Sequence, residues 1–290
     1  MELTWESSDW AHAAIEIRNG VLWVTHPNGH TLEQHGLDGG YIGQLETDLL
    51  ELHYLRWPWA VDTGSKRYVH GPDFETVRRD GRVVRLTDGF ALPRPYPAET
   101  KYSPTAVAVD PCGNVWVADG YGQSLVHRYT PAGALDLTLD GFATPHSLAI
   151  VDGLLLVCDR ANGRIQEYDL DGNLLRTLAK GVVVTPTDLV AVGDRLLLTD
   201  FTAGRITVLT RDGELVEHLC TSTRSPEEDA WPNTRDADGN IVRPETRPGV
   251  LNSPHTLAAD ENGDVFVTEW LIGGRVTKLA RYRGGSWISA

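Results

Sequence analysis

The stretch TPHSLAIVDGLLLVCDRANGR (Thr144–Arg164) has a near twin in SPHTLAADENGDVFVTEWLIGGR (Ser253–Arg275). Each reads as Pro-His, a short apolar run, a glycine turn, a second apolar run, an acid, and then Gly-Arg. A phrase that returns in this way implies stacked units, none of which buries its apolar faces alone. Two further copies are clear. Thr105 leads through AVAVDPCGNVWVAD to Asp119, and Thr187 leads through DLVAVGDRLLLTD to Asp200. Two earlier copies are worn: His12 aligns on His255 and puts His26 in the acid's column, while Trp57 leads through RWPWAVDTGSKRYVH to His70.

Starting points at 12, 57, 105, 146, 187 and 255 give spacings of 45, 48, 41, 41 and 68. Paired β-type runs at a period in the forties are the signature of a propeller. After each acid comes a third run (RIQEYDL, RITVLT, RVTKLARY), a turn, and a fourth (LLRTL, LVEHL). The expectation is all-β: one six-bladed β-propeller domain over residues 1–290, with four antiparallel strands per blade. The long last spacing holds a Pro-, Asp- and Arg-rich loop insertion at about 221–252. Either the SWISA stretch or LTWES would supply the last blade's outer strand.

Composition narrows the function. Hydrophobic residues make up 41%, enough for a full core, and 29 glycines against one methionine suit many tight turns. A net charge of −14 argues against nucleic acid as a partner, since phosphate binding needs clustered cations. No apolar run approaches the ~20 residues of a membrane span, and MELTWESSDW lacks the pattern of a signal peptide. Cys112, Cys158 and Cys220 show no metal spacing. The expected location is cytoplasmic.

In a blade the first strand lines the central channel, so its leading residue faces the channel mouth. That column reads His12, Trp57, Thr105, His146, Thr187, His255. His12, His146 and His255 are candidate ligands for a divalent metal, because zinc takes three or four nitrogen, oxygen or sulfur ligands. His70 and His26 are less regular alternatives to His12. Asp159, Asp200 and Glu269, each followed within a few residues by an arginine (Arg164, Arg205, Arg275), read instead as structural ties repeated from blade to blade. Tyr121 and Arg160 do not recur, Phe201 and Trp270 filling equivalent places, so no blade requires them. A phenol near a cation can serve as a general base, and a guanidinium can grip a carboxylate through two hydrogen bonds.

The tract PHSLAI…VCDRANGRIQEYDLDG resembles an NHL-type repeat. With PTAVAVD and VADGYGQSLVHRY it resembles the peptidyl-α-hydroxyglycine α-amidating lyases, over about residues 103–180 and again over about 250–282. The resemblance implies a channel zinc held by three histidines, and a tyrosine and arginines acting on a carboxylate-bearing hemiaminal to give an amide and glyoxylate. His146 and His255 match two of the metal ligands, Tyr121 the catalytic tyrosine, and Arg160 a catalytic or substrate-binding arginine. Trp57 stands where the first metal histidine belongs, Pro27 where an arginine is expected, and Thr256 where an aspartate would help bind calcium.

The function expected is a metal-dependent lyase of C–O/C–N, hydratase or cyclase type, acting on a small carboxylate-bearing substrate. The metal is zinc by preference, with calcium less well supported. The alternatives are a non-catalytic propeller that binds a protein or peptide on its rim and, third, a six-bladed hydrolase or lactonase.

Overall fold

Runs such as VWVAD, LLLVCD, RLLLTD and VFVTE are too short for helices and apolar on both faces, which suits a strand buried on two sides. In the computed structural model, which describes residues 1–11, 14–282 and 286–289, these four runs are the second strands of blades three to six. Their residues are almost all buried, because each blade packs against the one before and the one after. The turns before them need left-handed backbone. At Asp152-Gly153 both residues have positive φ, 52° and 77°, as a two-residue hairpin turn matched to strand twist requires.

Six antiparallel sheets form the ring. Blade one comprises Ile15–Arg18, Val21–Thr25, Thr31–Gly36 and Tyr41–Glu46. Blade two comprises Leu52–Arg56, Trp59–Asp62, Arg82–Arg85 and Phe90–Ala91. Blade three begins at Ala106–Val109, blade four at Pro145–Val151, blade five at Pro186–Val192 and blade six at Pro254–Ala259. Among the described residues the one helical element is a 3-10 turn, Arg160–Asn162, and no helix is long and apolar enough to cross a membrane.

The sixth sheet answers the question of closure with both candidates. Glu2–Thr4 pairs with Arg275–Thr277, and Trp287–Ser289 pairs with Leu279–Arg281, so two short strands share one edge end to end.

Blade two corrects the sequence reading. Trp57 does not lead a strand; it sits with Pro58 in the tight turn between Leu52–Arg56 and Trp59–Asp62, and its ring lies against Trp23 at 5.2 Å. The leading residue of that blade is His53. His70 belongs to an inserted hairpin, Ser65–His70 with Asp73–Arg78, that interrupts the blade between its second and third strands. The 221–252 segment carries a small hairpin of its own, Thr234–Arg235 with Ile241–Val242. Its Ile241 N–H donates to Gly71 O at 2.9 Å and Arg235 donates to Pro72 O at 2.9 Å, so the two insertions meet.

Candidate active site

The recurring acids hold the starts of the first strands. Asp62 accepts from the backbone N–H groups of Leu50 (2.9 Å) and Glu51 (3.3 Å), just before His53. Asp159 accepts from Ala143 N at 2.7 Å, just before His146, and Glu269 from Ser253 N at 3.2 Å, just before His255. Asp119 and Asp200 do the same for Thr105 and Thr187. The arginine partners are also present: Arg164 on Asp159 at 2.7 Å, Arg205 on Asp200 at 3.0 Å, Arg275 on Glu269 at 2.9 Å. A β-bulge follows in blades two, four, five and six, where the strand register slips across the leading residue. A bulge re-aims a side chain, and here the leading side chains turn into the channel.

Three of them meet there. His53, His146 and His255 are all buried, their ring centroids lie 5.0–5.2 Å apart, and one ring nitrogen from each falls within 4.8 Å of the others. His146 and His255 are two of the residues singled out in the sequence. His12 lies outside the described residues. His70 is exposed beside Glu75, and His26 caps its own turn, accepting from Asn28 N at 3.1 Å. His53 was missed because its hairpin is short: nine residues separate it from Asp62, against thirteen from His146 to Asp159. Working backward from Asp62, whose own role repeats, would have found it.

Burial holds all three imidazoles neutral. His53 is pushed down to about 3, mainly by desolvation and secondarily by the Arg160 cation. His146 and His255 lie well below the usual imidazole range for the same first reason. Neutral imidazole is the metal-binding form. His146 shows which nitrogen carries the lone pair. Its Nδ1 lies 2.7 Å from Thr187 O, which can only accept, so Nδ1 bears the hydrogen and Nε2 is the free base. The donor set therefore fits a divalent ion of zinc type, with three nitrogen ligands and room for substrate.

Tyr121 and Arg160 stand at this cluster. The Tyr121 hydroxyl lies 2.9 Å from His146 Nε2, and its ring packs edge-on to His53 at 5.5 Å. Gly120 makes this possible: a Cβ there would collide with Pro145 O, so the chain passes close and delivers the next side chain into the mouth. Arg160 donates to the Tyr121 oxygen at 3.3 Å and lies over the Phe201 ring at 5.0 Å. Desolvation raises the Tyr121 pKa, and Arg160 only partly offsets it. Burial thus favours the neutral phenol, a form that can give a proton.

A cavity of about 670 Å³ opens beside this cluster and reaches it at His255. The residues that follow the acids, Thr63, Gly120, Arg160, Phe201 and Trp270, line it together with Tyr121 and His255. Trp231 from the 221–252 insertion packs edge-on to Phe201 at 5.2 Å, so that insertion serves the cavity wall.

The chain is similar to known proteins over part or all of its length. Residues 142–168 match the NHL repeat family. The chain is 27% identical over 228 residues to a probable peptidyl-alpha-hydroxyglycine alpha-amidating lyase of Caenorhabditis elegans, covering 73% of this chain and 57% of that protein. It is 42% identical over 201 residues to a peptidyl-glycine alpha-amidating monooxygenase of Mus musculus, covering 54% and 20%. This is an NHL-repeat six-bladed propeller with homology to the α-amidating lyases. It spans about half the length of the worm relative and a fifth of the mouse one. Among solved structures, a streptogramin B lyase superposes with a TM-score of 0.60 at 16% identity, covering 96% of this chain and 97% of that one. Virginiamycin B lyase from Staphylococcus aureus superposes at 0.59 and 14% identity, covering 100% and 87%. At such identities these structures speak for the fold.

Proposed function

We propose that the protein is a metal-dependent lyase that breaks a C–N or C–O bond in a small substrate bearing a carboxylate beside a hydroxylated carbon. The observation that carries this reading is the convergence of His53, His146 and His255 on Tyr121 and Arg160. His53 supplies the ligand that Trp57 had seemed to replace. The homology to α-amidating lyases supports the same class of bond cleavage.

The chain's own residues can balance the reaction. Arg160 receives the substrate carboxylate, for which a planar fork of donors is suited. Tyr121, a neutral phenol, gives its proton to the leaving nitrogen or oxygen as the bond to carbon breaks. The phenolate so formed, beside the Arg160 cation, takes the proton of the substrate hydroxyl as that oxygen becomes a carbonyl. The phenol is restored, and the products are the protonated leaving group and an α-oxo acid. A divalent ion on the three imidazoles would supply Lewis acidity toward a substrate oxygen. The three imidazoles are buried, so charge beside them acts at low dielectric.

Elemental analysis tests the centre. Purified protein should carry about one equivalent of divalent metal, the number one three-histidine site holds. The change His53→Ala with His146→Ala should remove it, and His70→Ala should not. Metal content that survives the double change would end the reading.

A further inference from the structure

Arg160, Phe201 and Trp270 come from three successive blades at the same position, directly after the acid. They form one continuous wall: Arg160 lies 5.0 Å from the Phe201 centroid, and Phe201 lies 5.8 Å from Trp270. The wall does not stop there. Arg67, from the inserted hairpin of blade two, lies over Trp270 at 5.4 Å, and also over Trp10 at 4.8 Å and Phe74 at 4.3 Å. An arginine thus stands at each end of an aromatic strip, and Arg67, Trp270, Phe201 and Arg160 all line the cavity that reaches His255.

The charges of that cavity are not balanced from within. Its one acid, Asp80, is taken by Arg94 at 2.6 Å, and Arg79 is taken by Asp62 at 2.6 Å. Arg67, Arg78, Lys101 and Arg160 also line it, and none of the four makes an ion pair among the described residues. The Arg67 guanidinium makes no hydrogen bond among the described residues either, and Arg78 stands near enough to repel it. In a chain of net charge −14, a mouth with four surplus cations is a local reversal of sign. Such a focus of one sign in a cleft attracts the opposite one. A guanidinium stacked on rings keeps its in-plane donors for a planar anion.

We propose that the outer end of the cavity, at Arg67 and Arg78, is a second carboxylate subsite, and that the substrate is a dicarboxylate with an apolar middle. The inference rests on the carboxylate reading of Arg160 and adds a specificity-determining site that the inserted hairpin supplies. One acid group sits at Arg160 beside the reacting carbon, the apolar middle runs along Phe201 and Trp270, and the far acid group meets Arg67 and Arg78.

The test is calorimetric binding of straight-chain dicarboxylates, from adipate to tetradecanedioate, each against the monocarboxylate of equal length. At one length the dicarboxylate should bind about tenfold tighter, the gain of about 1.4 kcal/mol expected from one further charged pairing. Arg67→Gln should bring that dicarboxylate to the level of its monocarboxylate and leave the monocarboxylate unchanged. Arg67→Lys, which keeps the charge, should retain part of the gain and controls for misfolding. Equal affinity of the pair at every length, or a gain that survives Arg67→Gln combined with Arg78→Ala, overturns the subsite. Failure of the Arg160 reading looks different: monocarboxylates would then bind Arg160→Ala as well as they bind the parent protein.

Discussion

Two layers of the channel are built from adjacent residues on the same strands, and they behave in opposite ways. The upper layer is His53, His146 and His255; immediately after the first two come Tyr54 and Ser147, which meet Asp188 below. Tyr54 donates to Asp188 Oδ1 at 2.8 Å, Ser147 donates to the same oxygen, and the Leu257 N–H donates to Oδ2 at 3.0 Å. Arg56 closes the set by donating to the Tyr54 oxygen at 3.1 Å. Every strong group in the lower layer is spent on a neighbour. The upper layer has three neutral bases, a phenol and a guanidinium, with a cavity against His255, Tyr121 and Arg160 and no carboxylate among them. One bulged strand start therefore supplies both a plug and a site, and the plug is the layer with a buried carboxylate, Asp188, that gathers the donors around it.

The largest contrast should come from removing one oxygen in the upper layer. Tyr121→Phe should lower turnover by about two to four orders of magnitude, the range for a positioned acid or base, with melting temperature and metal content unchanged. An equal loss of stability would make Tyr121 part of the plug and erase the distinction. The converse change is Asp188→Ala, which leaves the donors of Tyr54, Ser147 and Leu257 without their acceptor. Denaturant unfolding should show a loss of about 3–5 kcal/mol, as for other broken buried charge networks. A loss under about 1 kcal/mol, the worth of one ordinary hydrogen bond, would mean that the lower layer is not the fastener it looks to be.

Acid separates the layers more gently. The imidazoles are depressed in the fold, His53 to about 3, so between the ordinary value near 6.5 and that value the unfolded chain binds more protons. Stability is then fully present above about 6.5 and declines as pH falls, by up to about 1.4 kcal/mol per pH unit for each imidazole. Asp188 moves the other way: burial raises its pKa, with Arg56 opposing, so protonation there does not add to the loss. Melting curves of metal-free protein between pH 7 and pH 5 should fall, and His53→Gln should flatten the slope.

The architecture was legible because its signal is repeated. Four acids in one column, glycine turns and paired apolar runs returned often enough to survive two worn copies. His146, His255, Tyr121 and Arg160 were legible for the opposite reasons, the histidines by recurring and the other two by breaking the pattern. His53 was not, because a short turn at Trp57-Pro58 pulls the acid four residues closer and the eye takes the tryptophan for the strand start. The inserted hairpin at Ser65–His70 and Asp73–Arg78 was hidden by the same slip, and with it Arg67. Asp188 could not have been placed from sequence at all. Its partners Tyr54 and Ser147 are 134 and 41 residues away, and only ring closure brings them together.

The acids that tether the strand starts have a wider bearing. They grip backbone N–H groups and not the side chain that follows, so the ring works as a set of like sockets. Histidine, threonine and histidine fill neighbouring sockets in blades four to six on the same mounting. Chemistry in such a ring can be rewritten one socket at a time while the mount stays put, which separates the heredity of the scaffold from that of the reaction it carries.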